Sequence, residues 1–198
     1  MSCLSQNPEI DMSTEIVLAV ITHGEHICLM RRSAQVRGDN GKWHCITGFL
    51  DENQTPLSQA YAEIREEAGL GSDTIELKNT LVLEHLDGNG CSWRIHAFHF
   101  ESDTRDICLN WENDASLWAC SQHFSTLPTV SWLRNVLGAL SDTLPEYAGP
   151  ETSYDKEKVF ASAPAITSLS DFAYAPPNAP TANKAHLRRR EERRRCPA

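Results

Sequence analysis

The stretch Gly48-Phe-Leu-Asp-Glu-Asn-Gln-Thr-Pro-Leu-Ser-Gln-Ala-Tyr-Ala-Glu-Ile-Arg-Glu-Glu-Ala-Gly-Leu70 decides how the rest of the chain is read. Thr55 and Pro56 open a helix as N-cap and first residue, because a threonine hydroxyl accepts an orphan amide and proline needs none. Leu57, Ala60, Tyr61, Ile64 and Ala68 recur at helical spacing and form one apolar stripe. Gly69 and Gly71 stop the helix. Glu63, Glu66 and Glu67 stand three and four residues apart, so on an α-helix they share a face turned away from that stripe. Carboxylates this close repel, and a hard divalent cation would relieve the repulsion. Mg²⁺ suits such oxygen donors and also bonds phosphates. The Gly48 turn could add a backbone carbonyl. A solvated acidic helix face is the other reading of the three glutamates.

Working outward, Glu15–Thr22 is short, apolar and β-branched, which predicts a buried strand. His26–Arg32 reads as its hairpin partner across His23-Gly24-Glu25. Residues 36 to 42 form a loop, and Trp43–Leu50 is a further strand entering the Gly48 turn. Strand-like runs follow at 75–85 and 93–100, joined by the hairpin signal Asp87-Gly-Asn-Gly90. Residues 107–111 and 117–120 are shorter strand candidates, and 129–140 a final amphipathic helix. Strands mixed with two such helices predict an α/β fold in which helices cover a mixed sheet.

The quoted stretch resembles the Nudix box, the pattern of hydrolases that cleave a nucleoside diphosphate linked to another group. That pattern is a glycine, five residues, a glutamate, seven residues, then Arg-Glu-apolar-x-Glu-Glu-x-Gly-apolar. Gly48, Glu63, Ile64, Glu66, Glu67, Gly69 and Leu70 match it in register. The resemblance implies a Nudix-like α/β/α sandwich over residues 14–141. It also implies Mg²⁺, or Mn²⁺ in its place, held by Glu63, Glu66, Glu67 and Gly48. The activity implied is Mg²⁺-dependent hydrolysis of a pyrophosphate bond in a nucleotide or nucleotide-sugar type substrate. The general base would be a box glutamate or an acid in a later loop, for which Glu112 is the candidate. Two positions depart from the pattern: Gln54 stands at the first glutamate and Ala62 at the arginine. In the family these two support the loop–helix geometry. Losing both leaves no stranded charge. The alternative is therefore a catalytically weak or inactive Nudix-fold module that binds a nucleotide or a protein partner.

Other features bound the function. No apolar run approaches the roughly 20 residues needed to cross a bilayer, and the first residues carry no secretory pattern. A cytoplasmic location is expected, with the nucleus open, and no membrane partner. Seven scattered cysteines without a Cys-x-x-Cys pair read as reduced thiols. The net charge of −9 divides unevenly. From Lys184 onward seven basic and two acidic side chains give +5, so the preceding residues carry −14. Such an acidic body suits polyphosphate held through metal rather than nucleic acid. The Arg188–Arg195 cluster leaves nucleic-acid binding open for the tail alone. Residues 1–13 read as a flexible lead-in, and 142–198, with seven of the ten prolines, as a largely disordered tail. A homodimer is left open by the resemblance. Trp43 and Trp111 flank the presumed site and read as packing residues or as base-stacking ones. His96 and His99 fall on opposite faces of one strand and cannot share a pocket. Nothing in the sequence gives His44 a role.

Overall fold

The architecture is that of a computed structural model, which describes residues 14–86 and 92–144. The described chain forms seven strands and two α-helices: β1 (Thr14–His23), β2 (His26–Arg32), β3 (Trp43–His44), β4 (Ile46–Phe49), α1 (Pro56–Glu63), β5 (Ile75–Leu86), β6 (Ser92–Ser102), β7 (Asn113–Ala119) and α2 (Leu133–Ala139). One sheet holds all seven strands in the path β3-β2-β1-β6-β5, with β4 on β1 and β7 on β2. Only β1 and β6 run parallel, so the sheet is mixed.

β1 is buried on both faces, which explains its near-continuous apolar run. Ile16, Leu18 and Val20 face one core with Trp93, Ile95, Leu133, Val136, Leu137 and Leu140. Val17, Ala19 and Ile21 face a second core with Ala60, Ile64, Ala68, Phe98 and Phe100. Helix α2 therefore covers one side of the sheet and α1 the other, giving the three-layered α/β/α sandwich that the sequence predicts.

Local differences from the sequence reading have physical causes. The strand expected over 43–50 breaks at Cys45 into β3 and β4, because β3 pairs with β2 while β4 turns to pair with β1. The two short strands expected at 107–111 and 117–120 are replaced by the single strand β7, set by its register on β2. The final helix begins at Leu133 rather than 129, because residues 129–132 are drawn to β3: the Val130 amide donates to the Trp43 carbonyl at 3.0 Å. The structure continues through Leu144, which is buried, and Thr143 lies 3.0 Å from His99. Asp87–Gly90, residues 1–13 and the chain from 145 onward, including the Arg188–Arg195 cluster, lie outside the described residues. Cys28, Cys45 and Cys120 are free, whereas Cys108 is disulfide-bonded, so the expectation of wholly reduced thiols does not hold there.

Leu18 is fully buried at the centre of the α2-side core. Leu18→Ala should cost about 2–5 kcal/mol in urea unfolding, as large-to-small core changes do, whereas exposed Val82→Thr should stay within about 0.5 kcal/mol. Equal midpoints for the two variants would contradict this core.

Candidate active site

The site is built where β4 meets α1. Ser58 donates its backbone amide to Thr55 Oγ1 at 3.2 Å, and Pro56 occupies the first helical turn, as the sequence predicts. The helix ends at Gly69, whose φ of +72° is the left-handed conformation that glycine adopts without a Cβ penalty. Between these ends the winding changes. Residues Ile64–Ala68 form a π-helical turn rather than a continuation of α1. Such wide turns are rare and concentrate at functional sites. The sequence did not reveal it, and it holds both Glu66 and Glu67.

Glu63 lies over Gly48. A Cβ on Gly48 would sit 2.2 Å from Glu63 Oε1, so only glycine lets strand and carboxylate approach this closely. Gln59, buried on the same helix, donates from Nε2 to that oxygen at 2.8 Å. Glu66 is half-buried. Glu67 turns inward and is only 2 % exposed. Asn113 donates from Nδ2 to Glu67 Oε2 at 2.9 Å, and the Thr47 backbone amide also bonds the carboxylate. Asn113 Oδ1 faces His44 Nε2 at 2.8 Å. Burial lifts the Glu67 carboxyl well above the ordinary glutamate range, and the charges of Glu112 and then Glu63 lift it further. Glu112, the later-loop acid, is therefore an electrostatic neighbour of Glu67.

That loop is held by contacts the sequence does not disclose. The Cys108 amide donates to the Ala68 carbonyl at 2.8 Å, and a Cβ on Gly69 would sit 2.7 Å from Cys108 Cβ. Gly69 thus ends the helix and also admits the 103–112 segment against its end. At the far side Ser33 donates its amide to the Glu112 carbonyl at 2.8 Å and its hydroxyl to the Trp111 carbonyl at 2.8 Å.

The remaining sequence candidates fall elsewhere. Trp43 packs against the α2-side core with the Arg31 guanidinium 5.9 Å from its ring. His96 bonds Glu15 at 2.8 Å, and buried His99 bonds Thr22 at 2.8 Å. Gln54 Oε1 accepts from the Ser58 hydroxyl at 2.8 Å. His44, Asn113 and Gln59 are the residues that the sequence reading missed. Gln59 alone left a signal, being four residues before Glu63 and so on its face.

Among the described residues, no three His, Cys, Asp or Glu side chains already close on one another as a metal cage would. The donor chemistry nevertheless fits a hard cation. Glu67 is a buried carboxylate next to two others, the donors are all oxygens, and the missing Cβ of Gly48 leaves space at Glu63.

Comparison with known proteins agrees with this fold. The NUDIX domain profile matches residues 12–132. The chain belongs to the Nudix family. Among solved structures it is similar to RenU, a Nudix hydrolase from M. smegmatis, with 20% identity and a TM-score of 0.54 over 68% of this chain and 88% of that one. It is likewise similar to the NUDIX domain of Shewanella oneidensis NrtR complexed with ADP ribose, with 14% identity and a TM-score of 0.54 over 70% of this chain and 93% of that one. A C. elegans Ap4A hydrolase matches at 15% identity and a TM-score of 0.53, over 65% and 96% of the two chains. At these identities the structures speak for the fold. No curated protein sequence gives a significant match.

Two glycines separate site geometry from stability. In Gly48→Ala the new methyl meets the end of a flexible side chain, so Glu63 should swing aside. Divalent binding should weaken by about 10-fold or more, while the melting midpoint moves by less than about 4 °C. Gly69→Ala meets both a positive φ and Cys108, and should lose about 1–2 kcal/mol of stability. A Gly48→Ala protein that binds Mn²⁺ as tightly as the parent would refute the close approach.

The Glu67 shift also fixes a sign. The folded chain holds this proton more tightly than the unfolded chain, so ionising Glu67 costs folded stability as pH rises above the ordinary value of 4.5. With chelator present, the stability of wild type relative to Glu67→Gln should fall as pH rises above 4.5. Parallel pH profiles in urea unfolding would show that Glu67 is not held in this environment.

Proposed function

We propose that the chain is a divalent-metal-dependent pyrophosphohydrolase acting on a nucleoside diphosphate derivative. The observation that carries the reading is the buried Glu67 carboxyl, raised by burial and by the charges of Glu112 and Glu63. A buried carboxylate beside two like charges is costly unless a cation joins it. Glu63, Glu66 and Glu67 would hold Mg²⁺ or Mn²⁺, with the Gly48 carbonyl as a further donor. When bound, the ion would neutralise phosphate oxygens and lower the pKa of a coordinated water. The chain's own residues then have separate tasks. Gln59 holds one oxygen of Glu63 and Asn113 holds one of Glu67, and Glu112 would be the candidate to take a proton from an attacking water. The Ser33 and Cys108 contacts keep the Glu112 loop over the helix end. The named relatives point to the substrate class: an Ap4A hydrolase and a domain holding ADP ribose both concern phosphoanhydrides of nucleosides.

A second reading, a Nudix-fold module that binds without efficient turnover, has one observation in its favour. Gln54 bonds Ser58 and position 62 is alanine, so the charged support implied by the family pattern is missing.

Phosphate release from a panel of nucleotides and nucleotide sugars separates the two. With Mg²⁺ or Mn²⁺ the wild type should turn over at least one phosphoanhydride. Glu66→Gln/Glu67→Gln should lose at least about 100-fold, since removing a metal's ligands removes several kcal/mol of charge stabilisation. Binding of a panel nucleotide without turnover would establish the second reading, and turnover indifferent to the double substitution would exclude the first.

A further inference from the structure

His44, Asn113 and Glu67 form a buried polar line through an otherwise apolar layer, exposed by 3 %, 4 % and 2 %. The three come from different elements. β2 sets the first two side by side: β3 pairs His44 with Met30, and β7 pairs Asn113 with Arg32. Glu67 arrives from the π-helical turn.

The polarity of the line follows from its chemistry. The contact itself sets the direction: Asn113 presents its amide nitrogen, which only donates, to Glu67 Oε2 at 2.9 Å. Its carbonyl oxygen is then left for His44, and a carbonyl only accepts. His44 must therefore donate through Nε2–H, at 2.8 Å. The ring's other nitrogen, Nδ1, is buried with no hydrogen-bond partner. Burial also holds the imidazole neutral, lowering it to about 4. An uncharged histidine with one orphaned nitrogen is a poor packing residue. Its side-chain partner is Asn113, reached through Nε2. Rules of satisfaction are broken in this way where a function is served.

We propose that Asn113 and His44 are positioning residues, forming a one-way hydrogen-bond relay that fixes the Glu67 carboxylate in the orientation in which it takes a divalent cation. This rests on the metal-dependent reading above. Neither residue touches substrate or metal. His44 locks the Asn113 amide against flipping, and the locked amide holds Glu67 Oε2. Ligating carboxylates held by a second hydrogen-bonding layer lose roughly 10–100-fold in metal affinity when that layer is removed.

The test is Mn²⁺ binding by the full chain, read from the electron paramagnetic resonance of free Mn²⁺, with melting recorded on every variant. Asn113→Leu and His44→Phe keep shape but remove the relay, and each should weaken Mn²⁺ binding by about 10–100-fold. His44→Gln can still donate to Asn113 and should stay within about threefold of wild type. A purely structural role predicts instead that His44→Gln and His44→Phe lose stability without changing Mn²⁺ affinity. In wild type, the ¹⁵N spectrum of the histidines should show His44 protonated at Nε2 and bare at Nδ1, which needs no variant to fold. The relay is overturned if folded Asn113→Leu binds Mn²⁺ like wild type, if His44→Gln fails as badly as His44→Phe, or if His44 carries its proton on Nδ1. Absence of Mn²⁺ binding by wild type itself would overturn the metal reading and the relay with it. Those outcomes are therefore distinct from loss of the relay alone.

Discussion

Strand β4 and helix α1 approach so closely that a single methyl group at Gly48 would fall 2.2 Å from the Glu63 carboxylate. That approach sets the spacing of two layers and the position of a charged group at once. It needs β4 registered on β1, which the Val17–Gly48 pairing provides. It also needs α1 anchored at both ends, by Thr55 at its start and the left-handed Gly69 at its finish. The apolar stripe Ala60, Ile64 and Ala68 presses the helix onto the sheet. The carboxylates are thereby held on a scaffold of buried apolar contacts, which do not depend on any ion.

Electrostatically the site works against that scaffold. Glu67 is taken out of water and set near Glu112 and Glu63. Burial and both neighbouring charges disfavour the charged carboxylate, and hydrogen bonds from Asn113 and Thr47 only partly offset them. Local strain of this kind concentrates at functional positions because the surrounding structure can bear it. The π-helical turn belongs to the same account. It gives up regular helical bonding at Ile64–Ala68, and in that segment Glu67 points inward while Glu66 stays half-buried.

Much of this was legible beforehand, and the failures have a common cause. Helical periodicity, the Thr55-Pro56 start and the Gly69 stop are local signals, and they placed α1 correctly. The burial of β1 on both faces was likewise written in its unbroken apolar run. The break at Cys45 and the merging of two expected strands into β7 depend on which strand pairs with which, and no local pattern carries that. His44 and Asn113 are 69 residues apart, and their meeting is a product of the sheet. The shared face of the three glutamates was inferred from α-helical spacing, and the π-helical turn at Ile64–Ala68 left no sign in that spacing. Gly69 was read as a stop alone, since its second contact, Cys108, is remote in sequence.

The departures at Gln54 and Ala62 take on a different meaning beside these contacts. An arginine near the glutamates would orient them but would also neutralise part of their charge. Gln59 and Asn113 orient Glu63 and Glu67 as neutral donors. An amide fixes a carboxylate oxygen without bringing a charge of its own. Gln54, freed from any ionic partner, instead bonds Ser58 in the first turn of α1 and secures the start of the helix. The loss of a charged support is thus compatible with an ordered site, because order and charge are supplied by different residues.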